Sequence, residues 1–256
     1  MKKVTAFVGS ARKGHTYEAA EQFLGNLQAL GDIEHEIVRL SSYRLGTCRG
    51  CRLCFARGEE HCPHKDDRDV LIEKIMASDG IVLASPNYSF QVSGLMKVFL
   101  DRLGFVFHRP RFFGKTFTSI VTEGIYGGNK IVDYLDFVGN ALGFNTVKGS
   151  CLMTIDPITE KQQKTIDSTL EAHARRYYAR LAQPAYPVPG FMHLYFFRMG
   201  RTKIRLELDD SDIDYRYYAD RGWFESDYWY PARLGVLKQG VGRVFDSLTA
   251  SRTKAR

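Results

Sequence analysis

Residues 48–62 carry four thiols, Cys48, Cys51, Cys54 and Cys62, the last followed by Pro63. The spacing is C-x2-C-x2-C-x7-C-P. Thiolates three residues apart can converge on one centre because the chain coils around it, and iron–sulfur clusters use such runs, including C-x2-C-x2-C-x3-C-P. The last gap is longer here. Arg49, Arg52 and Arg57 would offset the negative charge of a ligated [4Fe–4S] cluster. A loop that holds no metal stays open as the alternative. Zinc ranks behind both, because its sites usually use two separated C-x2-C pairs. His61 and His64 flank Cys62, but histidines in surface loops are usually just solvated. Cys151 stands alone in an apolar run and reads as a buried strand residue.

Three further segments could hold a ligand. Gly9-Ser10-Ala11-Arg12-Lys13-Gly14-His15-Thr16 joins an apolar run to a helical pattern. Its glycines allow a tight turn, and backbone N–H groups at a helix start cradle an anion. Ser10 and Thr16 can donate hydroxyls, and Arg12 a charge-assisted hydrogen bond. The spacing also fits a nucleoside-triphosphate loop, but His15 replaces the lysine that mechanism needs. A capped helix start without ligand is the plain alternative. Ser85-Pro86-Asn87-Tyr88-Ser89 follows a third apolar run, and its Asn and Tyr can line a flat aromatic ring. Thr122-Glu123-Gly124-Ile125-Tyr126-Gly127-Gly128 follows a fourth, with glycines that let backbone approach a planar heterocycle.

These loops must be positioned by the elements between them. Apolar runs at 4–8, 36–40, 80–84, 116–122 and 147–154 read as strands. Helical patterns fall at 16–30, 68–77, 93–104, 130–142 and 159–181, with Asp66 or Asp67 as N-cap of the second. This alternation predicts an α/β fold: a doubly wound, five-stranded parallel sheet in the order 2-1-3-4-5. Ligands of such sheets sit beyond the carboxyl ends of the strands, so the three loops should meet at one site.

Residues 1–183 form the expected domain, and the prolines at 184–189 mark its boundary. Residues 184–256 form a C-terminal aromatic extension that packs on the core or a partner subunit. An amphipathic helix at a membrane surface is its weaker alternative. The Asp209–214 cluster lacks the spacing of a calcium loop and reads as a solvated turn. The chain has 256 residues, 44% of them apolar, and a net charge of +7. That balance favours anionic ligands such as nucleotides, while no nucleic-acid motif is present. No stretch approaches the ~20 apolar residues that span a bilayer, and the N-terminus lacks a signal peptide's apolar region. A cytoplasmic protein is expected.

Gly-Ser-x-Arg-x-Gly-x-Thr in the first loop, Ser-Pro-x-Tyr with Ser-Gly-x-x-Lys-x-Phe-x-Asp-Arg after the third strand, and the Gly-Gly loop after the fourth resemble the NADPH-dependent FMN reductase family, which implies a flavodoxin-like sheet. The cysteine run resembles that family's iron–sulfur flavoprotein branch. The resemblance covers about residues 3–180 and implies FMN as cofactor and NAD(P)H as co-substrate. It places the FMN phosphate at Ser10, Arg12, Gly14, His15 and Thr16. The flavin ring would lie at Pro86, Asn87, Tyr88 and Ser89, with Glu123, Gly124, Gly127 and Gly128 on its other side. It further implies a homodimer or homotetramer with FMN near the interface, and a quinone or other small acceptor. His15 stands where relatives carry a small polar residue. The alternative function is a flavin or iron–sulfur electron carrier or redox sensor without turnover, against which the basic charge argues.

Overall fold

The structure is a computed structural model and describes residues 1–254. In chain order its strands and α-helices are β1 (Lys2–Val8), α1 (His15–Leu30), β2 (Ile33–Arg39), α2 (Leu53–Ala56), α3 (Arg68–Met76), β3 (Gly80–Tyr88), β4 (Gln91–Val92), α4 (Gly94–Arg102), β5 (Thr116–Glu123), α5 (Gly128–Ala141), β6 (Asn145–Thr146), β7 (Ser150–Met153), α6 (Glu160–Leu181), α7 (Phe191–Glu207), α8 (Ile213–Asp220) and α9 (Val236–Lys254). The chain divides into two compact units. Met1–Arg49 with His64–Ala185 form the first; Gly50–Pro63 group with the residues from Tyr186 onward in the second.

In the first unit, β1 lies between β2 and β3, and β3 pairs in parallel with β5. Alternation along β1 supplies both faces. Val4, Ala6 and Val8 join a buried cluster with Phe23, Leu24 and Leu27 of α1 and Leu170, Ala174 and Tyr177 of α6. Phe7, between them, stacks instead on Phe99 of α4, with ring centroids 5.3 Å apart. Helices therefore cover both faces, as the doubly wound reading requires.

The sheet departs from five strands in two places. The fifth parallel position is shared by β6, which pairs the start of β5, and β7, which pairs its end. The expected strand at 147–154 is broken because Gly149 passes close to β5: a Cβ there would lie 2.1 Å from Ser119 Oγ and 2.6 Å from the Ser119 carbonyl. Its N–H is met by the Asp136 carboxylate at 3.2 Å instead of by a strand. Second, Ser85–Tyr88 is not a loop. It continues β3 and turns back through Ser89 and Phe90 into the short antiparallel β4. Pro86 is tolerated because β1 stops pairing at Ala84 while β5 continues, so the proline's missing donor faces an open side.

In the second unit, α7 packs on α9. Arg198, nearly buried, bridges Asp227 at 2.5 Å and Asp246 at 2.9 Å. The Phe197 ring meets those of Tyr228 and Trp229 at 5.5 and 5.3 Å. The cysteine segment is not wholly irregular, since α2 and a 3-10 turn at Glu59–His61 lie within it. No helix among the described residues is long and apolar enough to cross a membrane.

Candidate functional site

Strand register brings the three loops to one edge. Val8 pairs with Ala84, and Pro86 with Thr122, so the carboxyl ends of β1, β3 and β5 are neighbours. The loop after β1 starts tightly. Gly9 donates its N–H to the Ala84 carbonyl at 2.8 Å. A Cβ on Gly9 would lie 2.7 Å from Ser93 Oγ and 2.9 Å from Met96 Cβ, so only glycine fits this approach. Ser10 is buried and donates to the Arg12 carbonyl at 2.9 Å. Arg12 and Lys13 are exposed, Gly14 caps α1, and the helix N-terminus presents the unmet N–H groups that suit an anion. The His15 ring turns to Asp156, with Nε2 3.0 Å from its carboxylate, and Nδ1 lies 3.4 Å from Glu18.

The hairpin after β3 presents Asn87, half-buried, and Tyr88 and Ser89, both exposed. The Oδ1 of Asn87 is buried without a hydrogen-bond partner. After β5, Glu123 accepts from the Gly128 N–H at 2.6 Å and so caps the start of α5. Gly127, at φ +95°, makes the left-handed step into that helix, while Gly124 faces open space. Cys151 is half-buried beside Glu123. Burial, then the hydrogen bond and charge of Glu123, push its thiol up to about 12, so it stays protonated.

Three hydrogen bonds tie the loops to one another. Thr16 and Thr122 hydroxyls are 2.6 Å apart, joining the first loop to the third. Ser93 Oγ donates to the Gly9 carbonyl at 2.6 Å, joining the second to the first. Asn87 Nδ2 donates to the Tyr126 carbonyl at 3.1 Å, joining the second to the third. Thr122, Ser93 and Tyr126 are absent from the sequence-derived site set. Ser93 had a legible signal, since it N-caps α4, accepting from Met96 N–H at 3.2 Å.

The cysteine run enters from this unit and leaves it. On the sheet side, Arg102 reaches the carboxylate of Asp66 with both terminal nitrogens, at 2.5 and 3.1 Å, and the Gly46 carbonyl at 2.9 Å. Burial alone would raise Asp66, but the Arg102 and Gly46 hydrogen bonds outweigh it and hold the carboxyl below the usual range. This gives the arginine of the helix motif a structural role: Arg102 fastens both flanks of the cysteine segment. Cys48 belongs to the first unit and Cys51, Cys54 and Cys62 to the second. Cys48 and Cys51 are exposed, Cys54 and Cys62 half-buried. Among the described residues no three His, Cys, Asp or Glu side chains are gathered closely enough to hold a metal ion.

A parallel sheet wound on both sides, with ligand loops at its carboxyl edge, defines the flavodoxin-like class. The family model described as NADPH-dependent FMN reductase matches residues 2–156. The chain belongs to that family and is an oxidoreductase. It is 35% identical over 158 residues to an iron–sulfur flavoprotein of Archaeoglobus fulgidus, covering 57% of this chain and 70% of that one. It is 29% identical over 171 residues to an iron–sulfur flavoprotein of Clostridioides difficile, covering 64% and 74%. Among solved structures, RosB with bound 8-demethyl-8-formylriboflavin-5'-phosphate superposes with a TM-score of 0.58 at 14% identity, covering 92% of each chain. At that identity the likeness shows the fold alone.

Proposed function

We propose that the first unit binds FMN at this edge and uses it to pass electrons from NAD(P)H to a small acceptor of the quinone type. The observation that carries the reading is the closed set of three loop-to-loop hydrogen bonds, which makes one site of three separate turns. The phosphate falls to the first loop, with Ser10, Arg12, Gly14, the backbone of His15, and Thr16. The ring falls between Pro86, Asn87, Tyr88 and Ser89 on one side and Glu123, Gly124, Gly127 and Gly128 on the other. The orphaned Asn87 Oδ1 fits this assignment, because a buried acceptor without a donor calls for one from a ligand. Residues 1–183 supply this function and residues 184–256 the extension.

FMN held at this edge would supply the chemistry, accepting hydride from reduced pyridine nucleotide and passing electrons to the acceptor. The chain's part is to bind and orient. The α1 N-terminus and Arg12 offset phosphate charge. Gly127 takes the left-handed step that shapes the third loop against Phe90 and Asn87. No protein acid or base is assigned.

The names of the relatives and the C-x2-C-x2-C-x7-C-P spacing support Cys48, Cys51, Cys54 and Cys62 as [4Fe–4S] ligands. That assignment rests on the spacing and those names, since among the described residues no three such side chains are gathered closely enough to hold a metal ion. The family resemblance supports a homodimer or homotetramer. Steady-state oxidation of NADPH by the purified FMN-loaded chain tests the enzymatic reading; no turnover with any acceptor overturns it. An anaerobic absorption spectrum with iron and acid-labile sulfide assays tests the cluster, and flavin bands alone would reduce the cysteines to a loop.

A further inference from the structure

The two central residues of the turn between β3 and β4 both have left-handed backbone, Ser89 at φ +51° and Phe90 at φ +62°. Two-residue hairpins of this geometry favour Asn-Gly, because side chains are costly there, and a bulky aromatic is an outlier. Core packing does not compensate: Phe90 is 61% exposed. Its ring instead lies across the third loop. It meets Tyr126 with centroids 5.1 Å apart, and Gly127 would bring a Cβ within 3.1 Å of it. Tyr88, Ile125 and Tyr126 are also more than half exposed, so two loops joined at Asn87 and Tyr126 present four large uncharged side chains.

Strain kept at an exposed residue points to function rather than folding. The geometry points to Phe90, with Tyr126, as the stacking surface for an uncharged planar aromatic acceptor of the quinone class, so that Phe90 sets acceptor selectivity. This rests on the FMN reading above. An aromatic face rewards a planar π system by stacking and offers nothing to an anionic metal complex. The electrons balance: one reduced pyridine nucleotide and one proton supply the two electrons and two protons that convert a quinone to its hydroquinone, leaving oxidised pyridine nucleotide.

The test compares the FMN-loaded parent chain with Phe90→Gly and Phe90→Tyr. Menadione is titrated in without reductant, so that binding is read apart from turnover. The ratio of kcat/KM for menadione to that for ferricyanide is then measured with NADPH. Phe90→Gly should weaken menadione binding and lower the ratio by roughly five- to ten-fold, as expected for one lost aromatic contact. Phe90→Tyr should restore both. Because glycine relieves the left-handed strain, Phe90→Gly should also melt about 2 to 4 °C higher than the parent. Unchanged menadione binding and ratio in a variant that still holds FMN would overturn the inference and leave the FMN reading intact. Failure of the parent chain to take up FMN would overturn both.

Discussion

Thr16 Oγ1 and Thr122 Oγ1 lie 2.6 Å apart and buried, so the first turn of α1 is fastened to the end of β5. These residues are 106 positions apart in sequence, and their bond spans the edge where the β3 hairpin also emerges. Thr122→Val keeps the shape and removes the hydroxyl, leaving Thr16 unmet. The expected cost is about 1–3 kcal/mol of stability, the penalty of an unsatisfied buried hydroxyl. Urea denaturation reads that loss, and FMN fluorescence titration should show weaker binding in the same variant.

Gly128 should not tolerate a side chain. A Cβ there would lie 2.4 Å from Cys151 Sγ and 2.8 Å from Glu123 Oε2. Gly128→Ala therefore has to displace the carboxylate that caps α5. FMN affinity is expected to fall about ten-fold or more, while Gly25→Ala, exposed in α1 with open space at its Cβ and outside the three loops, should change it little. Equilibrium titration of both variants with FMN checks the contrast.

The first and third loops were legible because their chemistry is local. Glycine, hydroxyl and arginine at fixed offsets after an apolar run describe a turn that can hold an anion, whatever follows. The second loop was legible only in part. Ser85 to Tyr88 looked irregular because proline argues against a central strand, and only the register shows that β1 has ended before Pro86. The left-handed turn at Ser89 and Phe90 carries no sequence signal, since neither residue favours that conformation. The ties made by Thr122 and Ser93 depend on partners far along the chain, which periodicity does not encode. In the extension, the run from Phe191 was legible as an amphipathic helix in one of the two readings, and α7 spans Phe191–Glu207.

The Arg102–Asp66 pair gives an acid-sensitive anchor for the cysteine segment's flanks. Asp66 titrates below an ordinary carboxyl in the folded chain. Its contribution is therefore complete above the ordinary carboxylate value near 3.8 and is lost as pH falls through the lower folded value. Asp66→Ala removes the carboxylate from a nearly buried guanidinium, which keeps the Gly46 carbonyl, and should cost about 3–5 kcal/mol at neutral pH. Urea unfolding at neutral pH and again below pH 3.8 should show the parent and variant drawing together in acid.

His173 should impose a second pH dependence. Its ring is fully buried, with Nε2 2.6 Å from Thr118 Oγ1 and its centroid 4.7 Å from that of Phe23. Burial, aided by the charge of Arg176, pushes the imidazole down from 6.5 to about 3. The unfolded chain then binds a proton that the folded chain refuses. Stability is complete above 6.5 and declines as pH falls from there toward about 3. The slope from this one group approaches about 1.4 kcal/mol per pH unit. His173→Phe should flatten stability against pH across that window, as read by urea titrations.

The central claim is that three neighbouring loops enclose one FMN. Titrating FMN into the purified chain, with flavin fluorescence as the readout, tests it most directly. The account predicts saturation at one FMN per chain, weakened when Arg12 is replaced by alanine or Gly127 by valine. A chain that leaves the fluorescence of free FMN unchanged, or binds it equally well after both replacements, would contradict it.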